Sequence, residues 1–120
     1  MTKSYELGIE GELHAKKYLK EKGYTILEER WHFGRAEIDI IAKRRETLYI
    51  IEVKTRSYDE VAKPEDAINF KKKKLLIEAA NEYVLLHDLN IEVQFDVITL
   101  IKQDIKWKMN HIPDAFRPYF

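Results

Sequence analysis

The stretch "YIIEVKTR", Tyr49–Arg56, decides how this chain folds and where its chemistry sits. Tyr49, Ile50 and Ile51 form an unbroken apolar run, the pattern of a strand covered on both faces. Glu52, Val53 and Lys54 follow with no turn residue between them. Side chains alternate along a strand, so Glu52 and Lys54 point to the face that Ile50 occupies. A buried strand that ends in a carboxylate and an ammonium needs a chemical reason.

Working outward, Glu37–Ala42 and Leu48–Thr55 read as strands joined by the charged turn "KRRET". With "RRET" as the loop, Lys43 pairs with Leu48, and counting back puts Asp39 opposite Glu52. Residues directly opposite in an antiparallel pair share a face, with Cβ atoms about 4.5–5.5 Å apart. A slip of one residue would send Asp39 to the other face. Two carboxylates at ~5 Å repel by roughly 3 kcal/mol at an effective dielectric of about 20. A cation belongs between them, either Lys54 or a divalent metal. Magnesium often takes only one or two protein carboxylates and fills its shell with water and phosphate oxygens. Asp39, Glu52 and the backbone carbonyl of Val53 would make such a partial shell. Lys54 would then orient a water or stabilise charge on a phosphate. The competing reading is an ordinary cross-strand charge cluster at a solvated sheet end.

The flanking elements are predicted as helix, hairpin, helix, strand, strand, with a central mixed sheet against the helices. The first helix starts near Ser4, a suitable N-cap, and stops at Gly23. Its inner stripe holds Leu7, Gly8, Gly11, Ala15, Tyr18 and Leu19, and Glu12 belongs to the same stripe. The small residues Gly8, Gly11 and Ala15 would let the helix approach the sheet closely. Glu12 is then either a site acid or a boundary glutamate paired with a cation. A strand over Tyr24–Glu29 follows. Pro64, Glu65 and Asp66 signal a second helix that runs to about His87. Lys72 shares its inner stripe with Leu76, Ala79 and Tyr83. Lys71, Lys73 and Lys74 read as a solvated basic turn or, functionally, as a phosphate-binding patch. Ile91, Val93, Phe95 and Val97 alternate as a strand, which Ile105–Met109 would pair with across "KQD". Asp96, inside that apolar strand, reads as structural.

Composition narrows the classes. The 120 residues fit a single domain over 1–120, with 45% hydrophobic and 35% charged residues. Formal net charge is zero, so any nucleic-acid partner must be met by a local patch. The absence of cysteine excludes disulfides and thiolate metal sites. The N-terminal residues have no apolar leader, which makes a cytoplasmic location and no membrane partner the expectation. His14, His32, His87 and His111 lack the spacing of a zinc site. Trp31, His32 and Phe33, before Gly34, could stack on a base or anchor a core.

Taken in order, "GIEGELHAKKYLKEKGYTILEERW", "RAEIDIIA", "YIIEVKTR", "PEDAINFKKKKLLIEAANEYV", "FDVI" and "HIPDAF" resemble the YraN-like family of uncharacterised bacterial endonuclease-like proteins. That family is similar to Holliday-junction resolvases within the PD-(D/E)xK nuclease superfamily. The resemblance runs from Leu7 to Phe116. It implies an α/β restriction-endonuclease-like fold, a central mixed β-sheet flanked by α-helices, with the site on the central hairpin. It makes Asp39 the motif aspartate, Glu52 the motif glutamate, Lys54 the motif lysine and Glu12 the helical glutamate. All four are candidate catalytic residues. Asp39, Glu52, Glu12 and the Val53 carbonyl are the expected ligands of Mg²⁺ or Mn²⁺. Lys72 matches the second-helix lysine, and with Lys71 and Arg56 it is an expected nucleic-acid contact. The implied activity is metal-dependent cleavage of DNA, branched DNA in particular, by a homodimer. The alternative is a catalytically silent nucleic-acid-binding or protein-interaction module on the same fold. Two departures stand out: Ala36 replaces a common glycine, and "VAKP" replaces a Phe-Gly-containing loop.

Overall fold

The apolar run of the opening stretch divides between two cores. Tyr49 and Ile51 pack with Ile40, Ala42, Ile98 and Leu100 and with Ala15 and Leu19 of the first helix. Ile50 packs with Ile41, Leu48 and Phe95 and with Leu76, Ala79, Ala80 and Tyr83 of the second. Alternation along the strand therefore sends successive residues to opposite helices, as two-sided burial requires. The computed structural model describes residues 3–58 and 68–118. The elements are α1 (Lys3–Glu21), β1 (Thr25–Phe33), β2 (Ala36–Arg44), β3 (Thr47–Ser57), α2 (Phe70–Leu86), β4 (Glu92–Gln103) and β5 (Lys106–Phe116). They form one five-stranded mixed sheet in the order β1-β2-β3-β4-β5. The β3–β4 pair is parallel and the other pairs are antiparallel. This is the α/β, restriction-endonuclease-like arrangement, with one helix on each face. No helix among the described residues is long and apolar enough to cross a membrane.

Local sequence explains the boundaries. Gly23 takes φ +91° just past α1, where its N–H donates to Lys20 O and the Tyr24 N–H donates to Leu19 O. Those two bonds are the glycine-ended helix stop that satisfies orphan carbonyls. At its other end α1 begins at Lys3, so Ser4 lies inside the first turn and is not the cap. Gly11 sits where α1 meets β3, since a Cβ there would lie 2.1 Å from Thr55 Oγ1. Gly8 has nothing within 4 Å and permits no comparable approach.

The β2–β3 turn is tighter than expected. Arg44 pairs with Thr47, and Arg45 takes φ +56°, the left-handed backbone of a two-residue hairpin. The predicted Lys43–Leu48 pairing is nevertheless present. β1 continues past Glu29 to Phe33, and β5 extends to Phe116. The described part of the second helix starts at Phe70. Asn69 caps it, accepting the Lys72 N–H at 2.8 Å. The start signals at Pro64, Glu65 and Asp66 lie outside the described residues.

Candidate active site

The site forms where two strands part. Pairing of β2 with β3 runs from Arg44–Thr47 to Ile40–Ile51, and its continuation would oppose Asp39 and Glu52. At that point β2 changes sides. Ile40 packs in the α1 core and Ile38, only two residues earlier, in the α2 core. In a regular strand both would face the same way. On β1 the neighbouring Arg30 adopts φ +50° between Glu29, which meets Lys16 of α1, and Trp31, which packs in the α2 core. Both strands turn over together, and the sheet opens into a fork. Asp39 closes the fork with its side chain: Oδ2 accepts the Val53 N–H at 2.8 Å.

Glu52 is buried on the α2 face, 5% exposed. Its Oε1 meets Lys72 Nζ at 2.6 Å, while Oε2 is buried and, among the described residues, has only a protonated Asp39 carboxyl as a donor. A buried carboxylate oxygen without a donor is costly and calls for a water, an ion or a ligand. Burial, and after it the Glu52 carboxylate, push the Asp39 carboxyl up to about 8, against the Val53 N–H, which favours the charged form. The pair is thus short of positive charge despite Lys72. A cavity of about 460 Å³ opens onto it, lined by Arg35, Ala36, Glu37, Asp39, Glu52, Asn69, Lys71, Lys72, Leu75 and Leu76.

The expected residues therefore separate into two groups. Asp39, Glu52, Lys71 and Lys72 line one cavity. Glu12, Lys54 and Arg56 do not line it. Glu12 Oε2 accepts from Arg30 Nη2 at 3.0 Å and from Nε at 3.1 Å. Its charge still contributes to raising Asp39. Lys54 is half-buried in β3 opposite Thr99 of β4, two residues beyond Glu52. Arg56 donates from Nη1 to the Thr55 carbonyl. Among the described residues no group of three or more His, Cys, Asp or Glu side chains is gathered to hold a metal. Two acids and the backbone at Val53 are the donors the fork offers.

A second polar cluster surrounds Asp96, whose partners the sequence did not indicate. Asp96, 1% exposed, accepts from Gln94 Nε2 at 2.9 Å and from the Asp114 N–H at 3.0 Å through Oδ1. Its Oδ2 lies 2.7 Å from His111 Nε2, and His111 Nδ1 lies 2.8 Å from the Tyr18 hydroxyl. These bonds fall where the β4–β5 register shifts between Phe95 and Val97. They tie α1, β4 and β5 together and bear out the structural reading of Asp96. The one available signal was an aspartate inside an apolar strand.

A five-stranded mixed sheet between two helices defines the restriction-endonuclease-like fold class. Residues 11–100 match the family described as Uncharacterised protein family UPF0102. UPF0102 proteins of Christiangramia forsetii and Flavobacterium psychrophilum are 46% and 44% identical over 116 residues, each covering 97% of this chain and 98% of the relative. One from Parabacteroides distasonis is 41% identical over 97% of this chain and 96% of its own length. The chain belongs to the UPF0102, or YraN-like, family.

Proposed function

We propose that this protein is a Mg²⁺- or Mn²⁺-dependent endonuclease that hydrolyses phosphodiester bonds in DNA, with branched DNA as its particular substrate. The observation that carries this reading is the fork. Two largely buried carboxylates sit beside a lysine, and among the described residues Glu52 Oε2 has no donor once Asp39 is ionised. The donors suit a hard cation, because magnesium commonly takes one or two carboxylates and keeps water and phosphate oxygens for the rest. Asp39 and Glu52 would hold it with the Val53 carbonyl, and Glu12 would join by exchanging Arg30 for the ion. Once bound, such an ion supplies Lewis acidity toward a phosphate oxygen and makes water a nucleophile near neutral pH.

The chain's own residues supply the rest. Lys54 orients the attacking water or meets charge developing on the phosphate. Lys71, Lys72 and Arg56 neutralise neighbouring phosphates. Hydrolysis joins a water oxygen to phosphorus and releases one ester oxygen as a hydroxyl. A four-way junction has paired equivalent strands, so its resolution calls for a homodimer, which light scattering at about tens of micromolar would register. The direct test incubates plasmid, synthetic junctions and flaps with and without metal. Metal-dependent cleavage by wild type that Asp39→Ala abolishes supports the proposal. The same trace cleavage by both proteins overturns it.

One observation favours a second reading, a silent binding module. Glu52 and Glu12 already have cationic partners in Lys72 and Arg30. Such a module would keep its DNA affinity, or gain some, when Asp39 and Glu52 become Asn and Gln. A nuclease would lose metal-dependent cleavage in the same variant.

A further inference from the structure

The face of the sheet that carries Glu52 continues past the cavity. Ile98, Leu100 and Trp107 pack in the α1 core. Their strand neighbours Thr99, Ile101, Lys106 and Lys108 therefore face the other way. On that side Lys54 of β3 stands beside Thr99 of β4, which pairs with Asn110 of β5. One step outward Arg56, Ile101 and Lys108 form the next row, and Gln103 with Lys106 the last. α2 packs chiefly over β1 and β2, at the other side of the sheet. Lys106, Lys108 and Asn110 are exposed, and neither lysine pairs with an acid among the described residues. The charged residues of these rows are Lys54, Arg56, Lys106 and Lys108, with no acid among them. The whole chain balances 21 cations with 21 acids, so the separation belongs to this face.

We infer that this face of β3, β4 and β5 docks the sugar–phosphate backbone of duplex DNA, with Lys106 and Lys108 as its outer phosphate contacts. The three strands span ~10 Å, and the step from Glu52 to Arg56 covers about 13 Å along β3. A backbone crossing that surface runs toward the acids of the cavity. Lysine and arginine are the residues that neutralise phosphates and carry most of the affinity for a duplex. Thr99 and Asn110 add neutral donors of the kind that position a backbone without reading its sequence. No aromatic side chain shares the rows, so they offer nothing on which a single strand could stack its bases. An acidic protein would need carboxylates set to these same rows, whereas any duplex repeats its charges regularly. The inference rests on the nuclease reading for its choice of DNA, but it concerns binding and not turnover.

The test follows the anisotropy of a labelled DNA duplex from about 50 to 200 mM salt, in EDTA so that nothing is cleaved. Lys106→Ala and Lys108→Ala should each weaken binding about 5- to 10-fold at roughly 0.1 M salt and lower the salt slope by about 0.9. Lys108→Arg should keep both at their wild-type values. Lys17→Ala removes the same charge from the exposed side of α1, which packs on the opposite face of the sheet, and should change neither. All three lysines are exposed, so the variants should fold, and unchanged melting temperatures would confirm it. Equal affinity and slope in wild type and both β5 alanine variants would overturn the inference. Equal losses in Lys17→Ala, no binding at all, or tighter binding of the single strand would do the same. Competition by polyglutamate as effective, charge for charge, as competition by unlabelled duplex would assign the face to an acidic protein and overturn it too. Metal-dependent cleavage is assayed separately. Cleavage of duplex with no change of slope in the β5 variants defeats the docking face and leaves the nuclease standing. The expected changes of slope, with no cleavage of any substrate, do the reverse.

Discussion

Asp39 replaces a strand: its Oδ2 takes the Val53 N–H at 2.8 Å just beyond the last pairing of β2 with β3. A side chain therefore closes a gap that backbone would otherwise fill, and it does so with a group whose charge depends on pH.

That dependence has a definite sign. The Asp39 carboxyl is raised from 3.8 to about 8 in the folded protein, chiefly by burial. Below the unfolded value both states hold the proton. Between that value and about 8 the folded state keeps a proton that the unfolded state has lost, so stability falls as pH rises. Asp39→Asn keeps an oxygen for the Val53 N–H and removes the titration. In EDTA its melting temperature should exceed that of wild type at alkaline pH and converge with it in acid. Parallel melting curves across the range would show that Asp39 does not carry the strain.

Divalent cations should work in the opposite direction. If Asp39 and Glu52 hold the ion, Mn²⁺ or Mg²⁺ at 100 times its dissociation constant adds about 2.7 kcal/mol to stability. Glu52→Gln and Asp39→Asn should each abolish most of that gain. Thermal melts with and without the ion give the answer, and equal gains in all three proteins would place the ion elsewhere.

The Glu52–Lys72 pair joins a buried carboxylate to a half-exposed ammonium. Lys72→Met leaves a buried charge without its cation and should cost about 1–3 kcal/mol, less than a fully buried pair because Lys72 reaches solvent. Adding Glu52→Gln should recover much of that loss. Urea denaturation of the two single variants and the double variant measures the coupling, and additive losses would mean the pair contributes nothing.

Lys54 separates turnover from stability. As the motif lysine its loss should lower cleavage by on the order of 10²–10³, with DNA affinity little changed. Lys54→Met that folds and cleaves at the wild-type rate would remove the lysine from the mechanism.

These four residues differ in how legible they were. The hairpin register came from the charged turn, because placing "RRET" there sets Lys43 against Leu48, the pairing the sheet has. Asp39 and Glu52 followed from it. The fork did not, since it depends on Arg30 at φ +50°, a backbone state that local sequence does not demand of arginine. For the same reason the partner of Glu12 was hidden. Lys72 was placed correctly on the inner stripe of α2, but its bond to Glu52 joins residues that only the tertiary fold brings together. The edge strands β1 and β5 were read short because their outward residues are polar and break the alternation. Asp96 and His111 meet across a register shift that no spacing rule anticipates.

The parallel β3–β4 pair also sets the order of events when the chain first folds. Every other strand pairing closes through a two-residue turn, whereas Thr47 finds Glu92 some 45 residues away. Local hairpins close in about microseconds, and distant contacts wait on the entropy of the intervening loop. Residues 25–57 and the β4–β5 hairpin are thus two early units, joined late by the segment that carries α2. Until they join, β3 and β4 each leave an apolar edge open to a neighbouring chain, the exposure that favours aggregation. The Asp39–Val53 fork belongs to the first unit, and Lys72 arrives with the slow step. Newly made chains would thus carry the acids of the site before they carry the lysine that balances them.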